Sequence, residues 1–106
     1  MRNEQIAAYL YANCRGRTQA VRSAELEQAL GVSGNELRRR IKRLRRRGIP
    51  IGSSRDGYFY AVTAGEVFAT IRQLMEMERG LDAAIQGLVT SLDRFGEEAE
   101  ASGDRG

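Results

Sequence analysis

At 106 residues, with 42% hydrophobic content and no Trp, the chain has room for one small domain with a thin core. It carries 17 basic and 14 acidic side chains, no His and a single Cys, which excludes an internal disulfide and the common His- and Cys-based metal sites. The net charge of +3 conceals a division: residues 33–62 hold nine basic and two acidic groups, and residues 63–106 hold four basic and nine acidic groups.

In chain order, Asn3 is placed to cap a first helix over residues 3–14, with Ile6, Ala7, Leu10 and Cys14 on one face. Residues 15–19 read as a loop, and Ala20-Val21-Arg22 as a short strand. Ser23 is expected to cap a second helix, in which Ala24, Leu26, Ala29 and Leu30 mix a core face with a polar one. Gly31 ends it in a left-handed position. Ser33-Gly34-Asn35-Glu36 has the spacing of a capping box and opens a third helix.

That third helix is the most informative stretch. Eight of the ten residues from Arg38 to Arg47 are basic, and the exceptions, Ile41 and Leu44, continue an apolar stripe from Leu37. Gly48 ends the helix and Pro50 prevents its continuation. A hairpin follows: Ile49–Ser53 is the first strand, Arg55-Asp56-Gly57 the turn and Tyr58–Val62 the returning strand.

Thr63-Ala64-Gly65-Glu66 is a second capping-box pattern, opening a long helix that reaches to Phe95. Val67, Ile71, Leu74, Leu81, Ile85, Leu88, Leu92 and Phe95 recur at steps of four and three, with Glu78 the one interruption. Gly80 and Gly87 weaken this helix, by roughly 1 kcal/mol each relative to Ala. The remainder, GEEAEASGDRG, is acidic and poor in apolar residues, and is expected to be disordered. The predicted organisation is a domain over 1–62, a long helix over 63–95 and an acidic tail over 96–106.

From Val21 to Ala61 the chain resembles the winged helix-turn-helix of biotin-repressor-type regulators. The resemblance is carried by Ser23 to Ile51 (SAELEQALGVSGNELRRRIKRLRRRGIPI) and closes on Asp56-Gly57-Tyr58 in the wing. It implies a mainly α fold, three helices plus a two-stranded β-wing, with the long C-terminal helix added. Glu27 stands where this family usually has a small residue packed between the two helices. Small phage and mobile-element regulators are similar in lacking a separate ligand domain, so a small-molecule effector is not indicated.

The expected partner is double-stranded DNA. The first turn of the third helix would face base edges: Asn35 is suited to adenine, and Arg38, Arg39 and Lys42 follow on the groove side, Arg being suited to guanine. Gly34 would let the backbone approach closely. Ser23 and Ser33, at helix starts, and Arg43 and Arg46 would meet phosphates. Arg55 at the wing tip would enter a minor groove or grip a phosphate. Arg43, Arg45, Arg46 and Arg47 cannot all face one groove, so some contact flanking phosphates or stay in solvent.

Each reading has a plainer counterpart: the Arg run as a solvated helix face, Asn35 as a surface residue, Glu36 as a cap, Tyr58 and Phe59 as wing packing, and Cys14 as core. A helix of about 30 residues is ~45 Å long, longer than a three-helix core is wide. A homodimer through Ile71, Leu74, Leu81, Ile85, Leu88, Leu92 and Phe95 is therefore expected. No phosphate loop, metal spacing or nucleophile arrangement is present, so neither enzyme nor cofactor is expected. The start MRNEQIAAYLY lacks a signal-peptide pattern, and no run reaches the roughly 18 apolar residues of a membrane span, so a cytoplasmic protein without a membrane partner is expected. Two other functions stay open: a protein-interaction adaptor, and RNA binding through the Arg-rich helix. Transcriptional regulation, phage replication and packaging would all use the same DNA chemistry.

Overall fold

The computed structural model describes residues 2–94. In chain order it contains α1 (Asn3–Asn13), a 3-10 turn (Arg17–Gln19), α2 (Ser23–Leu30), α3 (Gly34–Arg46), β1 (Ile51–Ser54), β2 (Gly57–Tyr60) and α4 (Ala64–Ser91), which ends in a second 3-10 turn (Leu92–Arg94). The protein is mainly α, with one two-stranded antiparallel sheet and a long C-terminal helix. It divides into two compact units, Met1–Ile71 and a second that starts at Arg72. Phe95 and the tail over 96–106 lie outside the described residues. No helix of the described residues is long and apolar enough to cross a membrane.

The core of the first unit is built around the apolar stripe of α3. Leu37, Ile41 and Leu44 join Ile6 and Leu10 of α1, Leu26 of α2 and Ile51 of β1, all at most 3% exposed. Burial of each such side chain contributes about 1.5–3 kcal/mol. The spacing in α1 puts Ile6, Leu10 and Cys14 on one line, as its sequence predicts. In α2 only Leu26 is buried, and Leu30 is half-buried. Ala24 and Ala29, expected near the core, are exposed.

The helix starts differ from expectation in an instructive way. Arg2, not Asn3, holds the capping position of α1, and its backbone N–H donates to Gln5 Oε1 at 2.8 Å. Asn3 Oδ1 instead accepts from Arg40 Nη1 of α3 at 3.0 Å. Ser23 is already inside α2, with Arg22 at the cap, and its hydroxyl donates to Glu27 Oε2 at 2.8 Å. Ser33 does cap α3, accepting from Glu36 N–H at 3.2 Å. The reciprocal half of that box is not made, because Glu36 Oε1 pairs with Arg40 Nη2 at 3.0 Å. Gly31 ends α2 with φ +67°, where a left-handed backbone favours glycine.

β2 is paired on both edges. β1 runs antiparallel to it with Ile51 opposite Tyr60 and Ser54 opposite Gly57. Alternate residues of a strand direct their N–H and C=O groups to opposite sides. Those of Tyr58 and Tyr60 meet other segments: Tyr58 exchanges two 2.8 Å hydrogen bonds with Val21, and Tyr60 donates to the Cys14 carbonyl and accepts from Gly16 N–H. The strand expected at Ala20–Arg22 is thus a single bridge at Val21.

Gly57 is required twice over. Its φ is +122°, and a Cβ there would lie 2.0 Å from the Val21 carbonyl oxygen. The two-residue loop is Arg55-Asp56, so the positive angle falls on Gly57 alone and not on Asp56. The returning strand also stops at Tyr60, leaving Val62 exposed. Phe59 is 2% exposed, with its ring laid over Gly52 across the ladder; it is a packing residue.

The start of α4 is tied to the first unit by one carboxylate. Thr63 Oγ1 accepts from Glu66 N–H at 3.1 Å, the expected half of the box. Glu66 itself accepts from Val62 N–H at 2.8 Å and from Arg17 N–H at 2.9 Å. One turn on, Thr70 is buried, and its hydroxyl accepts from Ser53 N–H at 3.1 Å. The N–H of Arg17, then that of Val62, hold the Glu66 pKa below its ordinary value of 4.5. A carboxylate depressed in the folded state adds stability above its unfolded pKa and loses it as pH falls through the folded one. Wild type is therefore expected to outlast Glu66→Gln in urea near neutral pH. The two midpoints should converge well below pH 4.5.

Candidate nucleic-acid interface

α3 sorts its cations by angle. At roughly 100° per residue, Leu37, Ile41 and Leu44 define the buried side. Arg38, Arg39, Lys42, Arg43 and Arg46 fall within an arc of roughly 140° on the opposite side, along ~12 Å of axis. All five are exposed. The side chains of Arg39, Lys42, Arg43 and Arg46 make no hydrogen bond or ion pair with described residues. These five are the helix cations that the sequence assigns to DNA.

The other three cations of the run are engaged within the fold. Arg40 is held by Glu36 and Asn3. Arg47 Nη1 pairs with Glu4 Oε1 at 3.2 Å between two exposed side chains. Arg45 is the most committed: its Nε donates to the Ile51 carbonyl at 2.8 Å and its Nη2 to Ser53 Oγ at 3.1 Å. Burial holds the Arg45 pKa below the ordinary arginine value. Arg45 therefore fastens α3 to β1. The sequence leaves its role undivided from that of its neighbours, because its acceptors arrive from a strand whose position only the fold defines.

The first turn of α3 is more ordered than its exposure suggests. Arg38 Nη2 donates to Asn35 Oδ1. Gly34 lies against Glu27: a Cβ at position 34 would be 3.1 Å from Glu27 Oε2. The small residue at this helix crossing is thus on α3 and the large one on α2, the reverse of the arrangement the resemblance implies. Gly34 makes room for Glu27 here, which accounts for the glycine without a ligand.

The remaining site residues lie on other elements. Ser23 is half-buried, and its hydroxyl is already donated to Glu27. Ser33 is exposed at the start of α3. Arg55 is exposed in the hairpin loop. Arg22, which the sequence reading passed over, is exposed at the cap of α2, and the Val21–Tyr58 bridge seats it beside Gly57. Among the described residues no group of three His, Cys, Asp or Glu is placed to hold a metal ion.

In α4, Ile71, Leu74, Leu81, Ile85, Leu88 and Leu92 are all exposed, from 36% at Leu74 to 70% at Leu88. Phe68, Met75, Met77 and Val89 are exposed as well, which widens the apolar face. The helix runs without interruption through Gly80 and Gly87. Phe95 lies outside the described residues. Compared with protein-family models, with curated proteins and with solved structures, the chain has no match in any of the three.

The sorting of cations predicts opposite phenotypes within one helix. Arg45→Ala removes two hydrogen bonds from a cation, and bonds of that kind contribute about 1.5–3 kcal/mol. It should lower the urea midpoint clearly. Lys42→Ala and Arg39→Ala should change stability by no more than about 0.5 kcal/mol, measured in the same titration.

Proposed function

We propose that the protein binds double-stranded DNA as a homodimer, with a winged helix-turn-helix of the biotin-repressor type in its first unit and α3 in the major groove. Regulation of transcription is the role that fits this reading. The observation that carries it is the arc of five exposed cations on α3, four of whose side chains have no polar partner among the described residues. A helix that satisfies three arginines internally and leaves its outer face cationic is suited to a regular polyanion. Arginine also keeps its charge at any working pH and offers a planar fork to phosphate or guanine. The order of helix, tight turn, helix and hairpin over Val21–Ala61 supports the same reading.

Dimerisation through α4 is the second part of the proposal. Ile71, Ile85 and Leu92 alternate with Leu74, Leu81 and Leu88 at heptad spacing. Ile71 and Ile85 at one seam position, with Leu74, Leu81 and Leu88 at the other, follow the two-stranded pattern, from which Glu78 and Leu92 depart. The stripe is self-complementary, so a second copy of the chain covers it. Two α3 helices would then engage two half-sites, raising affinity by effective concentration.

Titration of labelled duplex DNA across about 50–200 mM salt tests the DNA reading. Log affinity should fall steeply with log salt. The slope should become shallower by about 1 for each phosphate-binding cation removed in Arg39→Ala/Lys42→Ala/Arg46→Ala. No binding at low salt would discard this function and direct attention to protein partners of α4; tighter binding to structured RNA would replace DNA by RNA. Sedimentation equilibrium tests the dimer: wild type should sediment as two chains and Leu81→Asp/Leu88→Asp as one, with the tyrosine near-UV dichroism unchanged.

A further inference from the structure

Arg38 differs from the other four cations of the α3 face in being held by protein groups. Its guanidinium donates to Asn35 Oδ1, one turn back on the same helix. On its other flank is the bare backbone of Gly34. A Cβ there would lie 3.4 Å from Arg38 Nη1 and 3.1 Å from Glu27 Oε2. The guanidinium and the carboxylate therefore border the same gap, which any side chain at position 34 would invade. Glu27 is fixed in turn by the Ser23 hydroxyl at 2.8 Å. Two bonded pairs, Ser23–Glu27 and Arg38–Asn35, thus lie on either side of Gly34.

The chemistry of the two candidate base readers then separates. An Asn that reads adenine uses both ends of its amide, accepting from N6 and donating to N7. The Asn35 oxygen is engaged by Arg38. An Arg that reads guanine directs two N–H groups at O6 and N7, and a guanidinium already fixed in orientation loses less freedom on binding.

We propose that Arg38 reads a guanine in the major groove and that Asn35 is a positioning residue that holds its guanidinium. This rests on the DNA-binding reading and gives it a ligand: a G·C pair in each half-site, with Arg39, Lys42, Arg43 and Arg46 on phosphates.

The test is selection of sites from a random duplex library, followed by competition with single-base-pair variants at fixed salt. Wild type, Arg38→Ala, Arg38→Lys, Asn35→Ala and Asn35→Asp are compared, with circular dichroism to verify folding. The wild-type site should contain a guanine whose replacement weakens binding about tenfold or more. That preference should vanish in Arg38→Ala. It should vanish in Arg38→Lys too, with the salt slope nearly kept, because Lys retains the charge but not the fork. Asn35→Ala should relax the same base pair and no other. Asn35→Asp keeps an oxygen for the guanidinium but has no N–H for adenine, so it should keep the guanine preference at lower total affinity.

Loss of an adenine preference at a separate position in both Asn35 variants would overturn the assignment, making Asn35 a reader in its own right. So would a selected site that Arg38→Ala leaves unchanged. Steep, salt-dependent binding in either case would leave the DNA reading standing. Absence of duplex binding by wild type at low salt would overturn the DNA reading, and this assignment with it.

Discussion

Eight cations in ten residues do not form a helix without something to oppose their repulsion, and burial of Leu37, Ile41 and Leu44 is what opposes it. At helical spacing the run contains about eight like-charged pairs, each destabilising by about 0.2–0.5 kcal/mol. The total, on the order of 2–4 kcal/mol, is less than the roughly 5–9 kcal/mol from burying three large aliphatic side chains. Four acceptors reduce the imbalance further: Glu36 and Asn3 on Arg40, the Ile51 carbonyl on Arg45, and Glu4 on Arg47. The same stripe that makes the helix stable also fixes its rotation. Once Leu37, Ile41 and Leu44 face inward, the outer arc is determined, and it is cationic.

This coupling explains why one run of similar residues performs two tasks. Position on the helix decides the task. Arg40, Arg45 and Arg47, at the margins of the buried face, reach acceptors on α1 and β1 or within α3. Arg39, Lys42, Arg43 and Arg46, at the outer face, find none. A long side chain with a planar, always-charged head suits both settings. The hairpin depends on the marginal set, since Arg45 bonds both β1 at Ile51 and the Ser53 hydroxyl. β2 in turn holds Val21 and, through it, the approach to α2.

Much of this was legible in the chain. Periodicity locates all four helices, three residues define the stripe of α3, and helical angle alone says that Arg43, Arg45, Arg46 and Arg47 cannot all face one groove. The partners that side chains choose are less legible, whether one helical turn away or supplied from distant sequence. Ser23 has the composition of a cap, yet Glu27 four residues on offers its hydroxyl an acceptor inside the helix. Glu66 fits a capping box, yet the backbone N–H groups of Val62 and Arg17 lie closer to hand than that of Thr63. Thr70 stands outside the heptad stripe of α4, and it is buried where its hydroxyl meets the Ser53 N–H of β1. Asn35 is suited to a base contact by composition, and in the fold its oxygen accepts from the Arg38 guanidinium. In each case local pattern named the residue and tertiary geometry chose between two acceptable partners.

The lone thiol has a consequence of a different kind. Cys14 is 4% exposed at the end of α1, where its own carbonyl accepts from Tyr60 N–H at 2.7 Å, and burial raises its pKa above 9.0. A thiol so placed is protonated and inaccessible while the helix end and the strand stay joined. Alkylation then becomes a clock for the rare moments when they part. The chain thus carries, without any introduced label, a native reporter of how often its helical and sheet layers separate.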